Sequence, residues 1–174
     1  MTNYRFFLLT VFLMLGCIYT SFGQSQSIEA IKHIVAKIDT DGTLTVKEFD
    51  NEKIYNQTFD GGGRIVIGYN QNELKKVKEE IGTSFGRVTT IIYLNNGTPV
   101  KIIEREENFK WKEDDSGWDY SELHQVFQAD YFIFNWEMDE MKIIKTGQPN
   151  LSDRTCAVYE HAPLIERALE LMKK

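Results

Sequence analysis

The sequence predicts an α+β fold: an antiparallel β-meander of repeated hairpins, covered by an N-terminal and a C-terminal helix. Three observations carry this. A four-residue phrase occurs three times, as Leu74-Lys75-Lys76-Val77, Val100-Lys101-Ile102-Ile103 and Met141-Lys142-Ile143-Ile144, each behind an aromatic that ends an apolar run (Tyr69, Tyr93, Phe134) and a short polar turn. Strand, turn and strand in one fixed pattern make a hairpin, here repeated. Near each end lies a stripe at three- and four-residue spacing: Ile28, Ile31, Ile34, Val35 and Ile38, then Leu164, Ile165, Ala168, Leu169 and Leu171. Such stripes mark amphipathic helices with one face to bury against the sheet. No Pro-, Gly- or Ser-rich linker interrupts residues 24–174, so a single domain is expected.

In chain order, residues 1–23 have the form of a signal peptide. A short polar and basic start (Asn3–Arg5) precedes an apolar run from Phe6 to Tyr19, and Ser21 and Gly23 are the small residues a signal peptidase reads. Met14-Leu15-Gly16-Cys17 approximates a lipobox and offers a second reading, anchorage through lipidated Cys17. Cleavage at Gly23 removes only Arg5 among the charges, so the net charge of −6 becomes −7. An acidic chain without a basic block argues against nucleic acid and anionic membranes as partners. Cys156 is then the lone cysteine, so no internal disulfide can form and the core must supply the stability.

Ser27 can cap a helix that runs to Ile38, a turn follows at Asp39–Gly42, and Thr43–Phe49 alternates as a strand. A polar stretch, Asp50–Gly63, ends in three glycines. The hairpins pair Arg64–Tyr69 with Glu73–Ile81, Val88–Leu94 with Val100–Glu107, and Val126–Trp136 with Met141–Lys145. Asn96-Gly97 supplies the positive φ of a tight turn. Phe132, Phe134 and Trp136 share one side of their strand and are expected in the core. Asn108–Glu122 reads as an irregular loop. Ser152 or Asp153 can cap the last helical region, with Pro163 in the first turn of the closing helix.

Three motifs suggest chemistry. Gly82-Thr83-Ser84-Phe85-Gly86 fits the nucleophile elbow of serine hydrolases, with His124 and His161 downstream. The β-branched segment after it, Val88–Tyr93, makes it a turn between strands instead. Asp39, Asp41 and Glu48 around Gly42 echo the second half of an EF-hand loop, but Lys37 stands where the first carboxylate ligand belongs. The histidines His33, His124 and His161 lack the spacing of a zinc site, and no cofactor or metal is expected. The sequons at Asn56, Asn96 and Asn150 carry no expectation of glycosylation.

The N-terminal helix, the Gly-rich entry to the first hairpin, the Gly82–Gly86 crossover and the aromatic-turn-Lys hairpins resemble exported periplasmic or lipoprotein domains of Gram-negative bacteria that have no assigned function. The hairpin unit is similar to antitoxin-like and MORN-type repeats. The resemblance spans roughly residues 25–145. It implies an exported α+β domain and transfers no catalytic residue; the irregular spacing does not carry over phosphoinositide binding.

The best ligand candidate is the loop; the alternative is that Trp111 and Trp118 fold back and seal the edge of the sheet. Trp111, Trp118 and Tyr120 stand among Asp114, Asp115 and Asp119, and aromatic faces beside carboxylates suit sugar rings, peptides or cations. The expectation is a non-enzymatic, periplasmic or secreted domain that binds a macromolecular partner or extracellular ligand. A small hydrolase using Ser84 and a calcium-stabilised module at Asp39–Glu48 are the alternatives.

Overall fold

A computed structural model describes residues 27–149 and 161–174. The signal segment 1–23, Cys17, Cys156, Asn150 and the capping candidates Ser152 and Asp153 lie outside the described residues. The elements are α1 (Ile28–Asp39), β1 (Thr45–Asp50), α2 (Asn51–Tyr55), β2 (Gly63–Asn70), β3 (Glu73–Thr83), β4 (Gly86–Asn95), β5 (Thr98–Trp111), β6 (Trp118–Asn135), β7 (Glu140–Gly147) and α3 (His161–Met172). The seven strands form one antiparallel sheet in chain order. An α+β meander is therefore what the sequence encodes. Among the described residues no helix is long and apolar enough to cross a membrane.

Local chemistry accounts for the boundaries. Ser27 caps α1, its hydroxyl accepting the Ala30 N–H at 3.2 Å. Asp50 caps α2 through Glu52 N–H at 3.0 Å, and Asn56 closes it with φ +49°. This short helix lies inside the polar stretch Asp50–Gly63, where five residues give periodicity too little length to show.

All three expected hairpins are present, and each shifts register just before its turn: at Gly68/Tyr69, Tyr93/Leu94 and Ile133/Asn135. The shifts explain the repeated phrase. Register places Val46, Gly68, Lys76, Tyr93, Lys101, Phe132 and Lys142 in one row across the sheet. The repeat thus sets a lysine from every hairpin on one face, with Tyr93 and Phe132 between them. Lys76 lies 4.9 Å from the Tyr93 ring centroid and Lys101 4.8 Å from that of Phe132. The structural repeat differs from the sequence phrase in two places. Lys76, not Lys75, is equivalent to Lys101, and Phe132, not Phe134, is the aromatic beside Lys142. In both places a bulge residue (Lys75 or Phe134) offsets the count.

The expected side-sharing of Phe132, Phe134 and Trp136 fails for the same reason. The bulge breaks the alternation: Phe132 stays on the lysine face, while Trp136 packs against the core of the opposite face.

The helices lie on opposite faces, where the sequence reading has both covering one. On one face, Leu164, Ala168 and Leu171 of α3 pack on Ile65, Ile67, Val77, Ile92 and Ile102. On the other, Ile34, Val35 and Ile38 of α1 pack with Tyr93, Val100, Ile91 and Ile103. Consecutive isoleucines (Ile91-Ile92, Ile102-Ile103) point to opposite sides of a strand, so both faces are apolar at the centre and each takes a helix. Asp39, the last residue of α1, fastens that helix down by accepting from Lys76 Nζ at 2.6 Å and Tyr93 Oη at 3.1 Å.

Candidate functional site

Residues 108–122 are not an irregular loop. Strands β5 and β6 continue through them as a hairpin arm, pairing Phe109 with Leu123, Lys110 with Asp119 and Trp111 with Trp118. Strand β4 reaches only Asn108, and β7 reaches only Phe127. Just beyond those limits Phe109 N–H still donates to Phe85 O at 2.9 Å and Gln148 N–H to Val126 O at 3.1 Å; from Lys110 onward β5 pairs with β6 alone among the described residues. At about 3.4 Å per residue, the stretch from Phe109 to Trp111 stands about 7 Å clear of the sheet before its turn.

The turn is built by short side chains. Lys112 N–H donates to Gly117 O at 2.8 Å, and Asp115 and Gly117 take φ of +57° and +127°. Asp114 accepts from Ser116 N–H at 3.1 Å, and Asp119 from Ser121 N–H at 3.0 Å. Hydrogen bonds from the side chain and backbone of Ser116 and Ser121 hold both carboxyls below the usual aspartate range, so they stay charged well into acid. Tyr120–Glu122 are extra residues on β6 and bow outward, because Phe109 and Lys110 pair with Leu123 and Asp119.

Two edge-to-face pairs stiffen the arm: Trp111 with Trp118 at 4.9 Å between centroids, and Phe109 with Tyr120 at 5.0 Å. Trp111 donates its indole N–H to Asp115 Oδ1 at 2.8 Å. Yet Trp111 is 51 % and Tyr120 65 % exposed, while Trp118 and Asp119 are half-buried and Asp114 and Asp115 exposed. All six residues singled out from the sequence thus stand on one arm, with Trp111 and Tyr120 displayed and Trp118 half-buried.

The other motifs resolve into scaffold. Ser84 lies in the tight turn from Thr83 to Gly86, and among the described residues it makes no hydrogen bond to a histidine. Gly82 packs against Gly61, where an added Cβ would lie 2.4 Å from that residue's backbone. An added Cβ on Gly86 would lie 2.1 Å from Glu107 O. Both glycines of the motif are there for close backbone approach. His124 lies 3.5 Å from Glu122, and His161 belongs to α3. Of the EF-hand-like acids, Asp39 is engaged by Lys76, Asp41 accepts from Thr43 N–H at 2.9 Å, and Glu48 lies on β1, 3.4 Å from Arg64. No three His, Cys, Asp or Glu side chains converge as a metal set among the described residues.

Sequence reasoning misses a polar core under α3. One row across that face reads Phe49, Ile65, Glu79, Thr90, Glu104, Ala129 and Lys145. Glu104 is 3 % exposed and accepts from Tyr131 Oη at 2.6 Å, with His161 Nε2 2.9 Å from its other oxygen. Glu79 accepts from Tyr55 Oη at 2.6 Å, and Arg167 lies over the Tyr55 ring. The first residue of α3 is pinned to β5 through His161, and its middle rests through Arg167 on Tyr55 of α2, which in turn bonds Glu79 of β3. The signal was the phase of the strands. Glu79, Glu104 and Glu106 occupy the same alternate positions as Val77 and Ile102, where a core side chain belongs.

Glu79 and its neighbour Glu80 shift oppositely because they face opposite sides. Burial raises the Glu79 pKa, against the Tyr55 hydroxyl and the Arg167 charge. Burial works the same way on Glu80, but Lys78, at 2.8 Å, and Arg64, in direct contact, outweigh it and the net shift is down. The raised group binds its proton more tightly folded than unfolded, so its stabilisation falls as pH rises from the ordinary carboxylate range through the folded-state pKa. Glu79→Gln keeps an acceptor for Tyr55 and is expected to flatten that fall, measured as Tm between about pH 4 and pH 8. An unaltered slope would assign it to another group.

No protein-family model matches this sequence, and neither a curated protein nor a solved structure matches it.

Proposed function

We propose that the chain is an exported, non-enzymatic binding domain whose contact surface is the aromatic hairpin arm, residues 108–122. One observation carries this reading: Trp111 and Tyr120 are held rigidly and left exposed on a two-stranded extension. Leaving a large aromatic in water forgoes about 25 cal/mol for every Å² it would bury, and interfaces recover that energy. Rigid aromatics also lose little entropy on contact. The signal-peptide form of residues 1–23 supports export. Both terminal helices cover the meander and leave it as a scaffold for the arm.

Affinity capture from an envelope extract, with Trp111→Ala beside the wild type, tests the reading. A partner should be retained by the wild type and lost by the variant. The variant should stay folded and lose no more than about 1–2 kcal/mol, the scale of one half-exposed aromatic pair and its hydrogen bond. A partner retained equally by both would move the contact elsewhere.

A further inference from the structure

The arm also carries a charge signature. Residues 108–122 hold Lys110 and Lys112 against Glu113, Asp114, Asp115, Asp119 and Glu122, a net −3 out of −6 for the chain. Resting on the binding-arm reading, we infer that its ligand is a basic polypeptide segment, with arginine or lysine side chains stacked on Trp111 and Tyr120 and paired with the surrounding carboxylates.

Geometry and electrostatics meet at the same atoms. Asp115 Oδ1 sits 2.8 Å from the Trp111 indole nitrogen. A guanidinium laid on the open part of that ring would therefore meet the quadrupole of the ring and a carboxylate at its rim together. The aromatic donor is already spent on Asp115, so what Trp111 offers a ligand is its π surface. The Asp114 and Asp119 carboxylates are oriented by the hydroxyl and backbone N–H of Ser116 and Ser121, and both are charged across the neutral range. Anionic partners are repelled by the same array. The β-turn backbone, the Trp111–Trp118 packing and the serine hydrogen bonds set these groups in place before any ligand arrives, so contact does not have to order them.

The test is a titration of the purified protein with an oligoarginine peptide, followed by tryptophan emission, with a cello-oligosaccharide as the neutral probe. Oligoarginine should bind saturably. Affinity should fall at least about tenfold between about 0.05 and 0.5 M salt, because exposed charges are screened. Trp111→Ala should weaken it by about tenfold or more, and Asp114→Asn with Asp119→Asn by about threefold to tenfold. Glu166→Gln with Glu170→Gln removes the same charge from exposed positions on α3 and should change nothing. Oligoarginine binding that survives Trp111→Ala overturns the inference, since it would then follow overall acidity. Failure to bind oligoarginine overturns it too. If in that case capture from the extract still depends on Trp111, the arm remains the binding surface and only the basic class falls. A cello-oligosaccharide bound in its place and lost with Trp111→Ala would assign the arm to neutral sugars.

Discussion

Glu104→Ala is expected to cost the domain about 3–5 kcal/mol, the scale of breaking a buried polar network by removing the side chain at its centre. The side chain is fully enclosed, and its loss strands two others: the Tyr131 hydroxyl at 2.6 Å and His161 Nε2 at 2.9 Å. The effect has a location as well as a size. His161 opens α3, so losing its partner should free that end of the helix first, and amide exchange in α3 should rise more than in β2–β4. Denaturant melts of Glu104→Ala, Tyr131→Phe and the double variant give the coupling directly. Stability within about 0.5 kcal/mol of the wild type would falsify the role of Glu104 as an anchor.

Gly82→Ala is expected to destabilise by about 2–3 kcal/mol. The added methyl would stand 2.4 Å from Cα, C and O of Gly61, all of them backbone, so no rotamer change relieves the clash. Gly42→Ala is the matched control. Nothing lies within 4 Å of a Cβ there, so it should be neutral or stabilise by up to about 1 kcal/mol. Equal melting temperatures for the two variants would sink the close-packing account of the Gly82–Gly86 motif. Ser84→Ala, at an exposed turn, should leave stability unchanged; its effect on any partner capture separates a nucleophile from a turn residue.

The hairpins were legible because turn chemistry and period-two alternation are local, and Asn96-Gly97 or the Tyr93-to-Lys101 spacing carries both within a few residues. Sidedness is not local. The stripes of α1 and α3 say that each helix has a face to bury, but only Ile91-Ile92 and Ile102-Ile103, read as two-sided runs, say that the sheet has two faces to offer. Residues 108–122 are set apart by their composition and read as a loop, where the structure has two strands and a turn. The six-residue turn, Lys112–Gly117, and the extra residues 120–122 break the alternation that would have revealed two strands. Register bulges defeated the finer counting, shifting Lys76 and Phe132 into positions that the linear phrase assigns to Lys75 and Phe134. Glu79 and Glu104 were visible as carboxylates at core phase. What they bind was not, because Tyr55 and His161 come from segments 24 and 57 residues away.

Strand order equals chain order in this sheet, and that bears on how the molecule assembles. Every strand meets its partner across a short connection, so the meander can zip up one hairpin at a time with little loop-closure entropy at each step. The helices are the exceptions: α1 packs on Tyr93 and Val100 of β4 and β5, and the last helix reaches further still. It follows β7 yet packs on Ile65, Ile67 and Val77 near the start of the sheet, closing the longest loop in the domain. Docking of α3 therefore carries the largest loop-closure entropy among the contacts described. A chain emerging N-terminus first would hold a nearly complete sheet with one apolar face and its carboxylates uncovered until the final residues came through.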